Sequence, residues 1–170
     1  MDLFVYTFHA DGNIHRALSV LDPNVVGDQG IPTESVLGEI NAHLPSMTPD
    51  QFETNEAFIN LLHEVVKQQV PHVDEYQEQS GVIATGILYI VDLRAGKITG
   101  ETGEEDLIGQ FTVRTGTVLP DSYIPNPSYK PLTNNGPIEL HPIIESVLLD
   151  RVNKLLNNHS EEDHAHHSSH

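Results

Sequence analysis

Apolar positions along this chain fall into short blocks whose period changes near the middle. Leu3 to Phe8 (LFVYTF) is apolar or aromatic on both faces, which predicts a central strand. Asp11-Gly12-Asn13 is turn chemistry, and Asp11 is placed to cap a helix from Ile14, because Ile14, Ala17, Leu18 and Leu21 recur at helical spacing until Pro23. Residues 24–31 lack a period and carry two glycines, which predicts a loop. Val36, Leu37, Ile40 and Leu44 make one apolar helical face that stops at Pro45. Thr48-Pro49-Asp50 has the form of a helix start, and Phe52 to Val70 continues it with a break near Thr54 before Pro71 closes it. His72 to Ser80 is polar and predicts a connector with at most one helical turn.

After Gly81 the pattern becomes strand-like. Val82 to Leu93 predicts a strand, Ala95-Gly96 a turn, Lys97 to Gly100 a returning strand, Leu107 to Val113 another, and Thr117 to Leu119 a return after Arg114-Thr115-Gly116. Residues 120–137 hold prolines at 120, 125, 127, 131 and 137, so they form neither a helix nor a central strand. His141-Pro142 opens a final amphipathic helix with Ile143, Ile144, Val147, Leu148, Val152, Leu155 and Leu156 facing inward and Arg151 and Lys154 near its C-terminus. The expected fold is α+β. An antiparallel β-meander of about four to six strands over 82–119, joined by Leu3 to Phe8, is packed by helices. Residues 1–158 are expected as a single domain, and 159–170 as a disordered, His-rich acidic tail.

Composition narrows the function. The 170 residues carry 25 acids against 8 Lys and Arg, a net charge of −17, of which −14 lies on residues 1–158. Such a body repels phosphate backbones and anionic lipids, which argues against nucleic acid and membrane surfaces. Cations, basic protein patches and neutral ligands remain compatible. The absence of Cys excludes disulfides, thiolate metal sites and Cys nucleophiles, and fits a reducing, cytoplasmic setting. No basic, apolar leader opens the chain, and the longest apolar run, 87–91, is too short to span a bilayer.

Candidate chemistry is sparse. His9, Asp11 and His15 carry the donor types of a divalent-metal site, which a small metal-dependent hydrolase would need converging on one ion. His63-Glu64 is half of a zincin motif, but Lys67 stands where the second imidazole would be. Glu101, Glu104, Glu105 and Asp106 lack EF-hand spacing and are expected as a solvated acidic turn. Tyr123, Pro125, Asn126, Pro127 and Tyr129 form a stiff extended arm with aromatic anchors, the best candidate for a binding surface. His164, His166 and His167 in the tail offer weak, unselective metal affinity. There is no phosphate-cradling Gly loop, no nucleophile elbow and no triad spacing. The leading expectation is an acidic binding or interaction protein without catalysis or cofactor, self-associating as a homo-oligomer or docking a protein partner. The alternatives are the metal-dependent hydrolase through His9, Asp11 and His15, or metal handling through the tail.

Overall fold

The computed structural model describes residues 1–41 and 49–168; of residue 41 and residues 159–168 it describes the backbone alone. The expected end of the second helix (Leu44, Pro45) and the Thr48 cap lie outside the described residues. The chain divides into two compact units, residues 1–61 with 146–170, and residues 62–145. The strand pairs of the described residues, in two four-stranded sheets and one two-stranded sheet, are antiparallel, and the class is α+β.

The first unit opens on a hairpin. Strands β1 (Phe4–Ala10) and β2 (Asn13–Ser19) pair in register from Phe4 opposite Ser19 to Ala10 opposite Asn13. Asp11 and Gly12 form the two-residue loop, with φ of 52° and 76°. Two consecutive positive φ values give a turn whose twist matches that of the flanking strands, which is why Asp-Gly serves there. Asp11 therefore turns a hairpin rather than capping a helix, and no helix runs from Ile14. The misleading spacing has a physical origin. A bulge between Leu18 and Ser19 lets Ala17 to Leu21 bury consecutively, and a short, fully buried run resembles a helical face.

A single helical turn, α1 (Pro23–Val26), follows, capped by Asp22, whose Oδ1 accepts the Asn24 N–H at 2.8 Å. The expected helix from Val36 is strand β3 (Val36–Asn41), paired with β2 and with β4 (Glu53–Thr54). Gly38 explains the difference: a Cβ there would meet the Glu53 carbonyl and the Phe52 ring, so this backbone is built for close approach within a sheet. The strand order is β1-β2-β3-β4, so β1 is an edge strand, not the central one expected, and it joins this sheet rather than the one after residue 82. The break expected near Thr54 occurs: α2 (Glu56–Gln69) begins after Asn55, whose Oδ1 accepts the Ala57 N–H and whose Nδ2 donates to the Thr33 and Val36 carbonyls at 2.7 and 2.9 Å.

In the second unit, α3 (Asp74–Ile83) replaces the expected connector and takes the first residues of the expected strand. It ends where Ala84 adopts φ 62° and donates its N–H to the Ser80 carbonyl. Strands β5 (Gly86–Val91), at the edge, and β6 (Leu107–Arg114) form the long pair, and β7 (Thr117–Val118) returns through Thr115-Gly116, whose φ values of 53° and 73° repeat the hairpin solution of the first unit. Lys97 to Gly100 is a run of turns, not a strand. β8 (Ile124–Pro125) pairs with β6, and β9 (Leu132–Thr133) with β10 (Gly136–Pro137) makes a small separate ribbon.

The last helix, α4 (Pro142–Ser168), starts as expected. His141 caps it, its Nδ1 accepting the Ile143 N–H at 3.1 Å. Ile144, Leu148, Val152 and Leu156 are buried at four-residue spacing. Its helical backbone continues past Asn158 to Ser168, where a disordered tail was expected. No Gly or Pro follows Asn158 to stop the helix.

Candidate functional site

The β1–β2 register separates the residues expected to form a metal site. Residues directly opposite one another share a face. Phe8 pairs with His15 and their rings stack, with centroids 5.3 Å apart, whereas His9 pairs with Ile14 on the other face. His9 and His15 thus point to opposite sides of the hairpin, and Asp11 lies in its turn. Among the described residues no group of three His, Asp or Glu side chains can hold a metal ion. The side chains of His164, His166 and His167 lie outside the described residues.

The 120–131 arm lies on its own sheet, and its anchors face inward. Tyr129 is buried and donates its hydroxyl to Asp92 Oδ2 at 2.7 Å. Tyr123 is half-buried, packs tilted against Phe111 and lies 2.6 Å from His63 Nδ1 through its hydroxyl. Burial pushes the Tyr123 phenol up and His63 down, so the pair is neutral. Asn126 donates to the Glu104 and Leu107 carbonyls, both at 2.8 Å, and between Tyr123 and Tyr129 only Ile124, Pro125 and Pro127 remain well exposed. The aromatic anchors expected to meet a partner are spent on the protein's own core. Proline-locked backbone suits such internal packing as well as it suits docking, because the ordering cost is small in both cases.

What holds the arm is a buried charge cluster with no motif in the sequence. The Arg94 side chain, 2% exposed, donates from Nε to Asp106 Oδ1 at 3.0 Å and from Nη2 to the carbonyls of Glu105 and Lys130. Its Nη1 makes no hydrogen bond and lies 3.5 Å from Asp92 Oδ2. Asp92 Oδ1 accepts the Arg94 and Glu139 N–H groups, both at 3.0 Å, and Asn135 Nδ2 donates to Asp106 Oδ2 at 2.8 Å. Burial raises the Asp92 carboxyl above its ordinary value despite these donors. Burial also pushes Asp106 up, but the Arg94, Gly103 and Asn135 donors outweigh it and hold Asp106 below its ordinary value. Asp106 is therefore a buried structural acid, not part of a solvated turn. Every group here is enclosed, so the cluster is a clamp, not a reaction site.

The accessible concavity lies in the first unit. It is a half-open cavity of about 670 Å³. Its floor follows from register alone: Tyr6 pairs with Ala17, Ala17 with Glu39, and Glu39 with Glu53, so these four side chains cross all four strands on one face. Phe8 lies on the same face beside Tyr6. Val26, Gln29 and Ile31 from the segment after β2 form the opposite wall, and Asn55 and Thr33 close one end. Two anchors shape that wall. Ser19 Oγ donates to the Ser35 carbonyl at 2.9 Å, and the Tyr6 hydroxyl donates to the Leu21 carbonyl at 2.6 Å, with burial first and the Asp22 charge second raising that phenol. Among the described residues the lining is mostly apolar and contains no Lys, Arg, His, Ser or Cys. Glu39 and Glu53 are its only charged members among the described residues, and no hydrogen bond or ion pair joins their carboxylates to another described residue.

Fold and cavity together define an α+β protein of two antiparallel-sheet units with a ligand-sized hollow in the first. No family model, no curated protein and no solved structure matches the chain. Among the described residues no helix is long and apolar enough to cross a membrane.

Proposed function

We propose that this is a non-catalytic binding protein of the cytoplasm, whose first unit takes a small molecule into the cavity above Tyr6, Ala17, Glu39 and Glu53. The observation that carries this is the cavity itself. Its volume of about 670 Å³ falls within the range of ligand pockets, and a few polar groups interrupt an apolar lining. The same lining argues against catalysis. Its described residues include no Ser, Cys, Lys or His to act as nucleophile or base. Self-association is the second part of the proposal. β5 (GILYIV) is an uncharged edge strand that exposes Ile87 and Tyr89, the kind of edge a free monomer of so acidic a protein would be expected to blunt.

Protein-observed NMR with indole tests the cavity. Indole is expected to shift the resonances of Tyr6, Phe8 and Val26, and Ala17→Leu, which extends a floor side chain into the hollow, is expected to abolish those shifts while the amide spectrum stays dispersed. Unchanged shifts in Ala17→Leu, or no shifts in either protein, would count against the cavity. Sedimentation of Tyr89→Lys tests self-association, which that substitution should weaken.

A further inference from the structure

We infer that the cavity is built for an organic cation: an ammonium or guanidinium group held by Glu39 and Glu53, with an apolar body lying over Ala17 between the aromatic side chains of β1. This rests on the binding role proposed above and names its ligand class.

Four observations converge on it. Glu39 and Glu53 are direct cross-strand partners, and like charges placed so are destabilising unless something lies between or beside them. Among the described residues no basic side chain lines the cavity to compensate them. Arg16 sits in the neighbouring strand, but its register opposite Thr7 and Ile40 places it on the other face. From the described residues an anion therefore meets two carboxylates and no counter-charge, whereas a cation gains from both.

The floor also has a shape suited to an apolar body. Ala17 is the one small side chain in the row from Tyr6 to Glu53, so the surface dips between the β1 aromatics and the acids. Tyr6 and Phe8 add ring surface on that same face, where a cationic headgroup or its adjacent carbons gain further attraction.

A bare metal ion fits poorly. Hard divalent cations need six or more oxygens in a compact shell, and no group of three metal-holding side chains exists among the described residues. An apolar hollow of this size beside the acids would add nothing to such an ion, but it accommodates the carbon body of an amine.

Three probes sharing one ring body separate charge from shape: tryptamine (cation), tryptophol (neutral) and indole-3-acetate (anion), titrated by calorimetry at low salt. Tryptamine is expected to bind about tenfold or more tighter than tryptophol, and indole-3-acetate more weakly than either. Raising the salt should narrow the difference, because the carboxylates are solvent-accessible. Glu39→Gln/Glu53→Gln should bring tryptamine to the tryptophol level and leave tryptophol binding unchanged. Removing a like-charge pair should also raise the Tm of the free protein, so a folding failure is not the expected outcome. Equal binding of all three probes, abolished by Ala17→Leu, would overturn the cation preference and leave the cavity as a binding site. A preference that persists in the double variant would also overturn it. If none of the probes binds, both the preference and the binding role fall.

Discussion

Replacing Arg94 with Met removes the one buried cation of the second unit while keeping a long apolar stem. Three acceptors lose the Arg94 donor, Asp106 Oδ1 and the carbonyls of Glu105 and Lys130, of which the Glu105 carbonyl keeps the Lys130 N–H at 3.1 Å. Asp92 and Asp106, with side chains 0% and 3% exposed, lose the only guanidinium near them. The polar contacts left to Asp92 are the N–H groups of residues 94 and 139 and the Tyr129 hydroxyl; those left to Asp106 are the Gly103 N–H and the Asn135 amide. Breaking a buried pair by deleting one partner costs about 3–5 kcal/mol, because the remaining charge stays desolvated. A chain of this length loses about 2–4 °C of Tm per kcal/mol, so a fall of about 6–20 °C is expected. The control is Lys97→Met. Lys97 also bonds a carboxylate, that of Glu139 at 2.8 Å, but the two side chains are 56% and 40% exposed, and such a pair contributes less than about 1 kcal/mol. Urea titration followed by far-UV circular dichroism gives both values. If Arg94→Met loses no more stability than Lys97→Met, the clamp is not what holds the arm.

Asp106 should also give the protein an acid limb. Its folded pKa lies below its ordinary value of 3.8, so the stability it contributes is fully present above that value and is lost as pH falls through the lowered one. Asp92, raised by burial, has the opposite sign: its charge costs stability above its folded pKa, and acid relieves that cost. Asp106→Asn should therefore be less stable than the parent at neutral pH, with the gap in urea midpoints closing on acidification; a gap that is constant with pH would contradict this. At Gly109 a Cβ would lie 2.5–2.7 Å from the Tyr123 ring, so Gly109→Ala should displace that ring from His63 and cost about 1–3 kcal/mol, visible as a shift of the His63 imidazole resonances. Truncation after Asn158 should abolish retention on a Ni²⁺ column, because His9 and His15 face opposite ways; retention by the shortened chain would show that the body holds a metal after all.

The features legible in the sequence were those with local causes. Thr115-Gly116 marks a hairpin, Pro142 opens α4, and Leu107 to Val113 alternates as a strand should, and all three stand in the structure. The errors also have local causes. Apolar spacing in Ile14 to Leu21 and Val36 to Leu44 fits a helix, but Asp11-Gly12 and Gly38 demand a hairpin and a close strand approach, and pairing overrode periodicity. The cavity was not legible at all. Tyr6, Ala17, Glu39 and Glu53 belong to four strands, and they become neighbours only through register, which no single segment encodes. The Arg94 cluster is hidden for the same reason: Asp92, Asp106, Tyr129 and Asn135 are drawn together from separate loops by one side chain. His9 and His15, expected as a site on the strength of their type, were placed on opposite faces by the same register that assembled the cavity.

The charge balance links these two features. With 25 acids and 8 basic side chains, most carboxylates have no cation to meet, and where the few cations go is informative. Arg94 is buried against Asp92 and Asp106, Lys97 meets Glu139, Lys130 meets Glu105, and Lys154 meets Asp150. None is directed to the cavity, although Glu39 and Glu53 face one another there across a strand pair. Acids on an open surface are screened by water and salt and need no partner. Glu39 and Glu53 remain accessible to water, but as cross-strand partners they repel one another, a standing cost that an arriving cation removes. Solubility accounts for the scattered surface acids. It does not account for two of them set in register on a concave apolar floor, and it is this pair that gives the cavity a preference in charge.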